Sequence, residues 1–312
     1  MNILFIDSTY PLLPKLLEEA GFKCDQLTSM KSKEDYLAII SNYDGCIIRS
    51  KFYIDSDFLD HATRLKFIGR VGSGMESIDV KAAESRGIVC LNSPEGNSDA
   101  VAEHAIGMLL SLFNNLFKAN SEVRAGKWLR EENRGIELGS KTVGIIGFGN
   151  VGSAFAKKLL GFGCKILAYD KYKTNYAPHY VQEVDFETIC EQSDVISLHI
   201  PLTPETKYMV NQHFFDSCKD GAYIINTSRG IVLETSALVK AMKIGKVSGA
   251  CLDVLEYEQI SFENLSSVNP DFEWLCKSDR VVLTPHIAGW THESNIKLST
   301  VLANKIIQLF GK

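Results

Sequence analysis

Short apolar runs alternate with amphipathic stretches along most of the chain. "NILFID" reads as a strand, and "LPKLLEEAG" as a helix closed by Gly21. Strands are predicted again at "DGCIIRS", "LKFIGRV" and "GIVCLN", separated by helical "SDFLDHA" and "VKAAESRG". Strand and helix in steady succession point to a parallel sheet, because parallel neighbours need a crossover between them. The rhythm pauses at "NSPEGNSD", residues 92–99, a polar, turn-rich segment and the best boundary. Residues 100–117, "AVAEHAIGMLLSLFNNLF", are helical in composition and apolar on most faces, the pattern of a helix buried between domains or subunits. "VRAGKWLREENRGIELGSK" is a polar excursion, read as an arm. The rhythm restarts at "KTVGIIGFGNVG" and continues through "CKILAYD", "DVISLHI", "GAYIINT", "SGACLDV" and "RVVLTPH". Residues 293–310 read as an amphipathic helix. The expected fold class is α/β with two βα runs, roughly 1–98 and 99–286.

Length agrees, since 312 residues suit two domains at about 150 residues each. A net charge of −5 gives no reason to expect nucleic acid or an anionic membrane as partner. No apolar run reaches the ~18 residues of a membrane span. The start, "MNILFIDSTY", lacks a basic region and carries Asp7, so it reads as a first strand and not as a signal peptide. The eight cysteines form no C-x-x-C pair and no Cys/His cluster. They read as reduced core thiols of a cytoplasmic protein, with neither disulfides nor a metal expected.

"TVGIIGFGNVGSAFAKKL" is the strongest local signature. Gly147, Gly149 and Gly152 form G-x-G-x-x-G after an apolar strand and at the opening of a helix. Gly147 permits the tight turn, Gly149 the close approach of a pyrophosphate, and Gly152 the packing of helix on strand. The helix start offers free N–H donors to the phosphates. The next strand, "ILAYD", ends at Asp170, where a carboxylate accepts bonds from ribose hydroxyls and repels a 2′-phosphate. NAD is the expected cofactor, a preference softened by Lys171 and Lys173.

Further polar groups end three successive strands of the same run: Arg229 after "YIINTS", Glu256 and Glu258 after "GACLDV", and His286 after "VVLTP". Each alone is equally well a surface arginine, a solvated acidic loop or a capping histidine. Beyond the carboxyl ends of one nucleotide-binding sheet they form a constellation. Oxidising a secondary alcohol needs a base for the hydroxyl proton, and histidine takes and returns it near neutral pH. A carboxylate beside it orients the ring, and an arginine holds a substrate carboxylate.

With these segments in view, the chain resembles the D-isomer-specific 2-hydroxyacid dehydrogenases over nearly its full length. The matching stretches are "GRVGSGMESID", "NSPEGNSDAVAEHAIGMLL", "GSKTVGIIGFGNVG", "DVISLHIPLTPETKYMVN", "GAYIINTSRGIVLET", "GACLDVLEYE" and "TPHIAGWT". The resemblance implies Arg229, Glu258 and His286 as the catalytic three. Glu258 is preferred over Glu256 because its spacing from the arginine is similar to the family's. It implies cofactor contacts along Gly147, Gly149, Asn150, Val151, Gly152, Asp170, His199, Pro201, Thr206, Thr227 and Asp253. It also implies two doubly wound parallel-sheet domains with the active site in the cleft. One is a discontinuous, flavodoxin-like substrate domain over 1–98 and 288–312, and the other a Rossmann NAD-binding domain over 99–287. The substrate carboxylate would meet backbone N–H groups of Val71, Gly72, Ser73 and Gly74, with Ser50 and Asn97 close by. A homodimer through the cofactor domain is implied as well.

Within the family, "CIIRSKFYID" and "FIGRVGSGMESID" look most like the 3-phosphoglycerate dehydrogenases of serine synthesis, which makes Arg49 and Arg70 candidates for a substrate phosphate. Two features depart from that branch. The chain stops at 312, without the C-terminal serine-sensing domain of many such enzymes, and "QISFENLSSVNPDFEWLCKSD" after Glu258 is long and lacks the usual Glu-Pro. The same chemistry on glyoxylate, hydroxypyruvate or another unphosphorylated acid is the alternative, and a non-catalytic NAD-sensing dimeric co-regulator is the alternative of another class. A formate-type enzyme is disfavoured, because its glutamine would stand at 258 and Gln259 is one position away.

Overall fold

The computed structural model describes residues 1–27, 32–258 and 269–311, so Gln259 and the stretch to Val268 lie outside the described residues. The chain divides into two compact units, one built from Met1–Ser98 and Trp290–Lys312, the other mainly from Asp99–Glu258 with the chain up to Gly289.

The first unit holds a five-stranded parallel sheet: β1 (Asn2–Phe5), β2 (Lys23–Gln26), β3 (Gly45–Ile48), β4 (Phe67–Arg70) and β5 (Val89–Leu91), in the order β2-β1-β3-β4-β5. The winding direction reverses between β1 and β3, as in flavodoxin-like sheets. The central strands are covered on both faces, hence their near-continuous apolar runs. Ile3, Phe5, Ile47 and Phe67 face one core, and Leu4, Cys46, Ile48 and Ile68 the other. The helix His292–Phe310 closes the first core with Leu298, Leu302, Ala303 and Ile306. Thr291 caps its start in a reciprocal box with Ser294. Gly96 lies directly on this helix, and a Cβ there would stand 2.6 Å from the Leu298 nitrogen.

The second unit holds seven parallel strands: β6 (Thr142–Ile146), β7 (Lys165–Tyr169), β8 (Gln182–Glu183), β9 (Val195–Leu198), β10 (Ala222–Asn226), β11 (Val247–Leu252) and β12 (Val281–Leu283). Their order, β12-β11-β10-β9-β6-β7-β8, puts the reversal between β6 and β9, the arrangement of a dinucleotide-binding sheet.

The apolar helix differs from expectation in extent and in role. It spans Ser98–Phe113 and ends because Asn115 takes the left-handed conformation (φ 52°), which asparagine tolerates. A second helix, Leu116–Arg124, departs at 58° and includes the first residues of the polar excursion. The long helix is buried within its own unit, where Ala102, Ala105, Leu109 and Phe113 share a core with Val143, Ile145 and Phe155. The edge strands β2 and β8 are "KCDQ" and "QE", with no apolar run to announce them. Among the described residues no single helix is long and apolar enough to cross a membrane.

Leu302 is fully buried against the first sheet. Leu302→Ala is expected to destabilise the first unit by about 2–5 kcal/mol in urea unfolding. An unchanged midpoint would show that the C-terminal helix is not part of that core.

Candidate active site

The glycine loop leaves β6 under tight steric control. Gly147 has φ +90°, and a Cβ there would lie 2.5 Å from the carbonyl oxygen of His199. A Cβ at Gly152 would strike the Gly147 carbonyl, whereas at Gly149 it would meet nothing within 4 Å. Helix Asn150–Leu159 therefore starts hard against the strand, with an open face at Gly149. No side chain caps the helix start, so the N–H groups of Asn150, Val151 and Gly152 keep the donor capacity of a first turn. The loop is braced from both sides: Asp170 Oδ2 accepts the Phe148 N–H at 2.9 Å, and Lys173 Nζ donates to the Phe148 carbonyl at 2.7 Å. Lys171 reaches Glu205 at 2.7 Å. Both lysines beside Asp170 are thus engaged with protein oxygens.

At the ends of β9 and β10, two buried polar atoms, Nδ1 of His199 and Oγ1 of Thr227, have no hydrogen-bond partner among the described residues. Burial holds the His199 imidazole neutral, its pKa lowered to about 3, and Nε2 meets Ser197 Oγ at 2.9 Å. Pro201 and Thr206 form a closed turn, with Thr206 Oγ1 donating to the Pro201 carbonyl at 2.7 Å. An open glycine, uncapped N–H groups and orphaned polar atoms on adjoining strand ends fit a dinucleotide.

Arg229, Glu258 and His286 follow β10, β11 and β12, three neighbours in the sheet. His286 Nδ1 donates to Glu258 Oε2 at 2.7 Å, and Glu258 Oε1 accepts the Leu255 N–H at 2.5 Å. The carboxylate thus joins the imidazole to its own turn. Glu256 does something else: its Oε1 accepts the N–H of Thr235 at 3.0 Å and caps the helix Thr235–Lys243. Asn226 shapes the arginine's loop, donating to the Arg229 carbonyl at 3.0 Å and accepting from Ser228. At Gly230 a Cβ would collide with the Leu255 carbonyl, so the arginine's loop rests directly on the turn that Glu258 holds.

His286 itself is left-handed, φ +55°, a conformation costing a non-glycine residue of order 1–3 kcal/mol unless its surroundings impose it. Asp253 imposes it. This carboxylate is 1% exposed. Its Oδ1 accepts from Thr284 Oγ1 at 2.6 Å and Ile287 N at 2.9 Å, and its Oδ2 from Ala288 N at 2.8 Å. The Asp253 carbonyl takes the His286 N–H at 2.8 Å. Asp253, read from the sequence as a cofactor contact, has these loop donors on both oxygens. A lone aspartate after a strand gives no sequence signal of such a clamp.

In the first unit, the Val71 N–H donates to the Ile48 carbonyl at 3.0 Å, and the Gly72 N–H to Ser93 Oγ at 3.2 Å. Two of the four amides expected to meet a substrate carboxylate are therefore spent within the fold, and the Ser73 and Gly74 amides take no acceptor among the described residues. Ser73 Oγ donates to Asn97 Oδ1 at 2.7 Å. Gly72, at φ +141°, lets the Arg70 guanidinium fold over the loop, where a Cβ would clash with it. Arg49 stacks on Trp290, its guanidinium carbon 4.5 Å from the ring centroid, and Asp7 Oδ2 accepts the backbone N–H groups of Arg49 and Ser50 at 2.5 and 3.1 Å. Trp290 lies within the matched stretch "TPHIAGWT" and Asp7 ends the first strand read as "NILFID", but no sequence signal assigned either of them a role at the site.

Residues 106–288, more than half of the chain, match the family model described as the D-isomer specific 2-hydroxyacid dehydrogenase NAD binding domain. The D-3-phosphoglycerate dehydrogenase of Archaeoglobus fulgidus is 37% identical over 295 residues, covering 94% of this chain and 54% of that protein. The hydroxypyruvate reductase of Thermotoga maritima is also 37% identical, over 279 residues and 89% of each chain. The solved D-lactate dehydrogenase of Aquifex aeolicus, complexed with NAD and lactic acid, superposes with a TM-score of 0.84 at 29% identity, over 99% of this chain and 96% of that one. The chain belongs to the D-isomer-specific 2-hydroxyacid dehydrogenase family, and its larger unit is an NAD-binding domain. It spans about half the length of the Archaeoglobus relative.

The two glutamates should separate in a stability measurement. Glu256→Ala removes a helix cap and is expected to cost about 1 kcal/mol of stability. Glu256→Gln, which keeps an acceptor, should recover most of it; equal loss in both variants would rule out the capping role.

Proposed function

We propose that this protein is an NAD-dependent D-2-hydroxyacid dehydrogenase that oxidises D-3-phosphoglycerate to 3-phosphohydroxypyruvate. The observation carrying the reading is the 2.7 Å bond between His286 Nδ1 and Glu258, at the carboxyl end of an NAD-binding sheet. A bound NAD+ would supply the acceptor for the hydride that leaves the substrate carbon. His286 takes the hydroxyl proton at Nε2, while Glu258 keeps Nδ1 protonated and the ring oriented. Arg229 holds the carboxylate and polarises the forming carbonyl. The Ser73 and Gly74 amides receive the carboxylate's remaining lone pairs, and Arg49, pre-set on Trp290, joins Arg70 in taking the phosphate. The products are the 2-keto acid, NADH and a proton held on His286.

A second reading is favoured by the hydroxypyruvate reductase of Thermotoga maritima, similar over 89% of each chain: the same chemistry, run as reduction of an unphosphorylated acid such as hydroxypyruvate or glyoxylate. NADH oxidation by the purified protein, with phosphohydroxypyruvate beside hydroxypyruvate, glyoxylate and pyruvate, separates the two. We expect the phosphorylated acid to be preferred. A preference for an unphosphorylated acid would transfer the protein to the second reading, and NADH binding without any turnover would make it an NAD sensor. His286→Ala should lower turnover about 10²–10⁴-fold and spare NADH binding. Arg49→Ala and Arg70→Ala should each weaken the phosphorylated substrate roughly 10–100-fold, hydroxypyruvate far less.

We also infer a cytoplasmic homodimer through the NAD-binding unit. Leu116, Phe117 and Val123 on helix Leu116–Arg124 and the nearby Trp128 stand exposed, Phe117 at 62% and Trp128 at 78%, an apolar group that water alone does not favour. Sedimentation should give a dimer mass, and Phe117→Glu with Trp128→Glu a monomer. A monomeric wild type would end this reading.

A further inference from the structure

The buried network behind the His286 turn reaches a helix that carries none of the residues assigned to the reaction. His104, on helix Ser98–Phe113, has Nε2 3.0 Å from Thr284 Oγ1 and 3.7 Å from Asp253 Oδ1. Thr284 Oγ1 is in turn 2.6 Å from Asp253 Oδ1. A hydroxyl has one proton, and so short an approach to a carboxylate oxygen requires that the proton point there. Thr284 therefore meets His104 as an acceptor, and Nε2 of His104 must carry a hydrogen. Met108 Sδ, 3.8 Å from the same hydroxyl, is a weak acceptor and does not compete.

The hydrogen bonds run one way: His104 Nε2–H to Thr284 Oγ1, and Thr284 O–H to Asp253. Asp253 then holds the Ile287 and Ala288 amides that keep His286 left-handed. We propose that His104 is a positioning residue for His286, acting through the Thr284 hydroxyl and the Asp253 carboxylate. The inference rests on His286 as the proton-transfer group. Its physical content is directional. Without a donor at 104, the Thr284 oxygen loses one of the two partners that hold it, and its donation to Oδ1 is anchored from the carboxylate side alone.

The test compares His104→Leu, which removes the donor, with His104→Gln, which keeps an amide N–H of similar reach. Turnover, NADH binding by fluorescence, and amide hydrogen exchange at Ile287 and Ala288 are read together. The leucine variant should lose about 10–100-fold in kcat with KM and NADH affinity unchanged, and exchange at both amides should accelerate. The glutamine variant should recover most of each. Thr284→Val removes the same relay from its middle, so it should reproduce the leucine phenotype and add little to it in the double variant. Unchanged kcat and exchange in both His104→Leu and Thr284→Val would overturn the proposal, as would a glutamine variant no better than leucine. If the wild type turns over no 2-keto acid, the proposed function fails instead, and the exchange rates alone decide the relay.

Discussion

A buried carboxylate is costly unless its oxygens are fully used, and Asp253 is the clearest instance in this chain. Two amides and a hydroxyl converge on it, and all belong to the turn that follows β12. The strain at His286 and the burial of Asp253 answer one another. The turn supplies donors only in its left-handed form, and the carboxylate is tolerable only if those donors are present. Removing the acceptor would leave the buried Ala288 amide unsatisfied, at about 1–3 kcal/mol. His286 is consequently aimed by main-chain geometry and not by the packing of its ring alone.

The parallel sheet supplies the rest. All strands of the second unit run the same way, so their carboxyl ends lie along one rim, and short loops deliver Arg229, Glu258 and His286 from adjacent strands. The glycine loop opens on that rim two strands from β10. Its bracing is ionic at both the N–H and the carbonyl of Phe148, which leaves Asp170 anchored in a fixed orientation while it retains lone pairs for hydroxyl donors.

How far this was legible in the sequence follows the physics of each signal. Strands covered on both faces announce themselves, as "GCII" and "TVGII" did, because burial leaves little choice of residue. "KCDQ" and "QE" did not, since neither of these two strands buries a residue. The helix break at Asn115 was hidden by apolar residues on either side. At the site, the glycine motif and the strand-end residues could be read because each has a local role in a known register. Glu256 and Glu258 could be ranked only by spacing; their hydrogen bonds now distinguish a helix cap from an imidazole partner. The roles of Asp253, His104 and Asp7, and the Arg49–Trp290 stack, depend on residues far apart in the chain meeting in space. The loss of the Val71 and Gly72 amides to Ile48 and Ser93 is of the same kind: a sequence shows how many donors a loop has, not how many the fold has already spent.

Gly230 carries a further consequence. Its backbone lies so close to the Leu255 carbonyl that not even a methyl group fits between them, and Leu255 is the residue whose amide Glu258 holds. The arginine's loop and the glutamate–histidine turn are thus geared, without slack, like two teeth in mesh. A change that displaces one must displace the other, so Arg229 and Glu258 can move together but not separately.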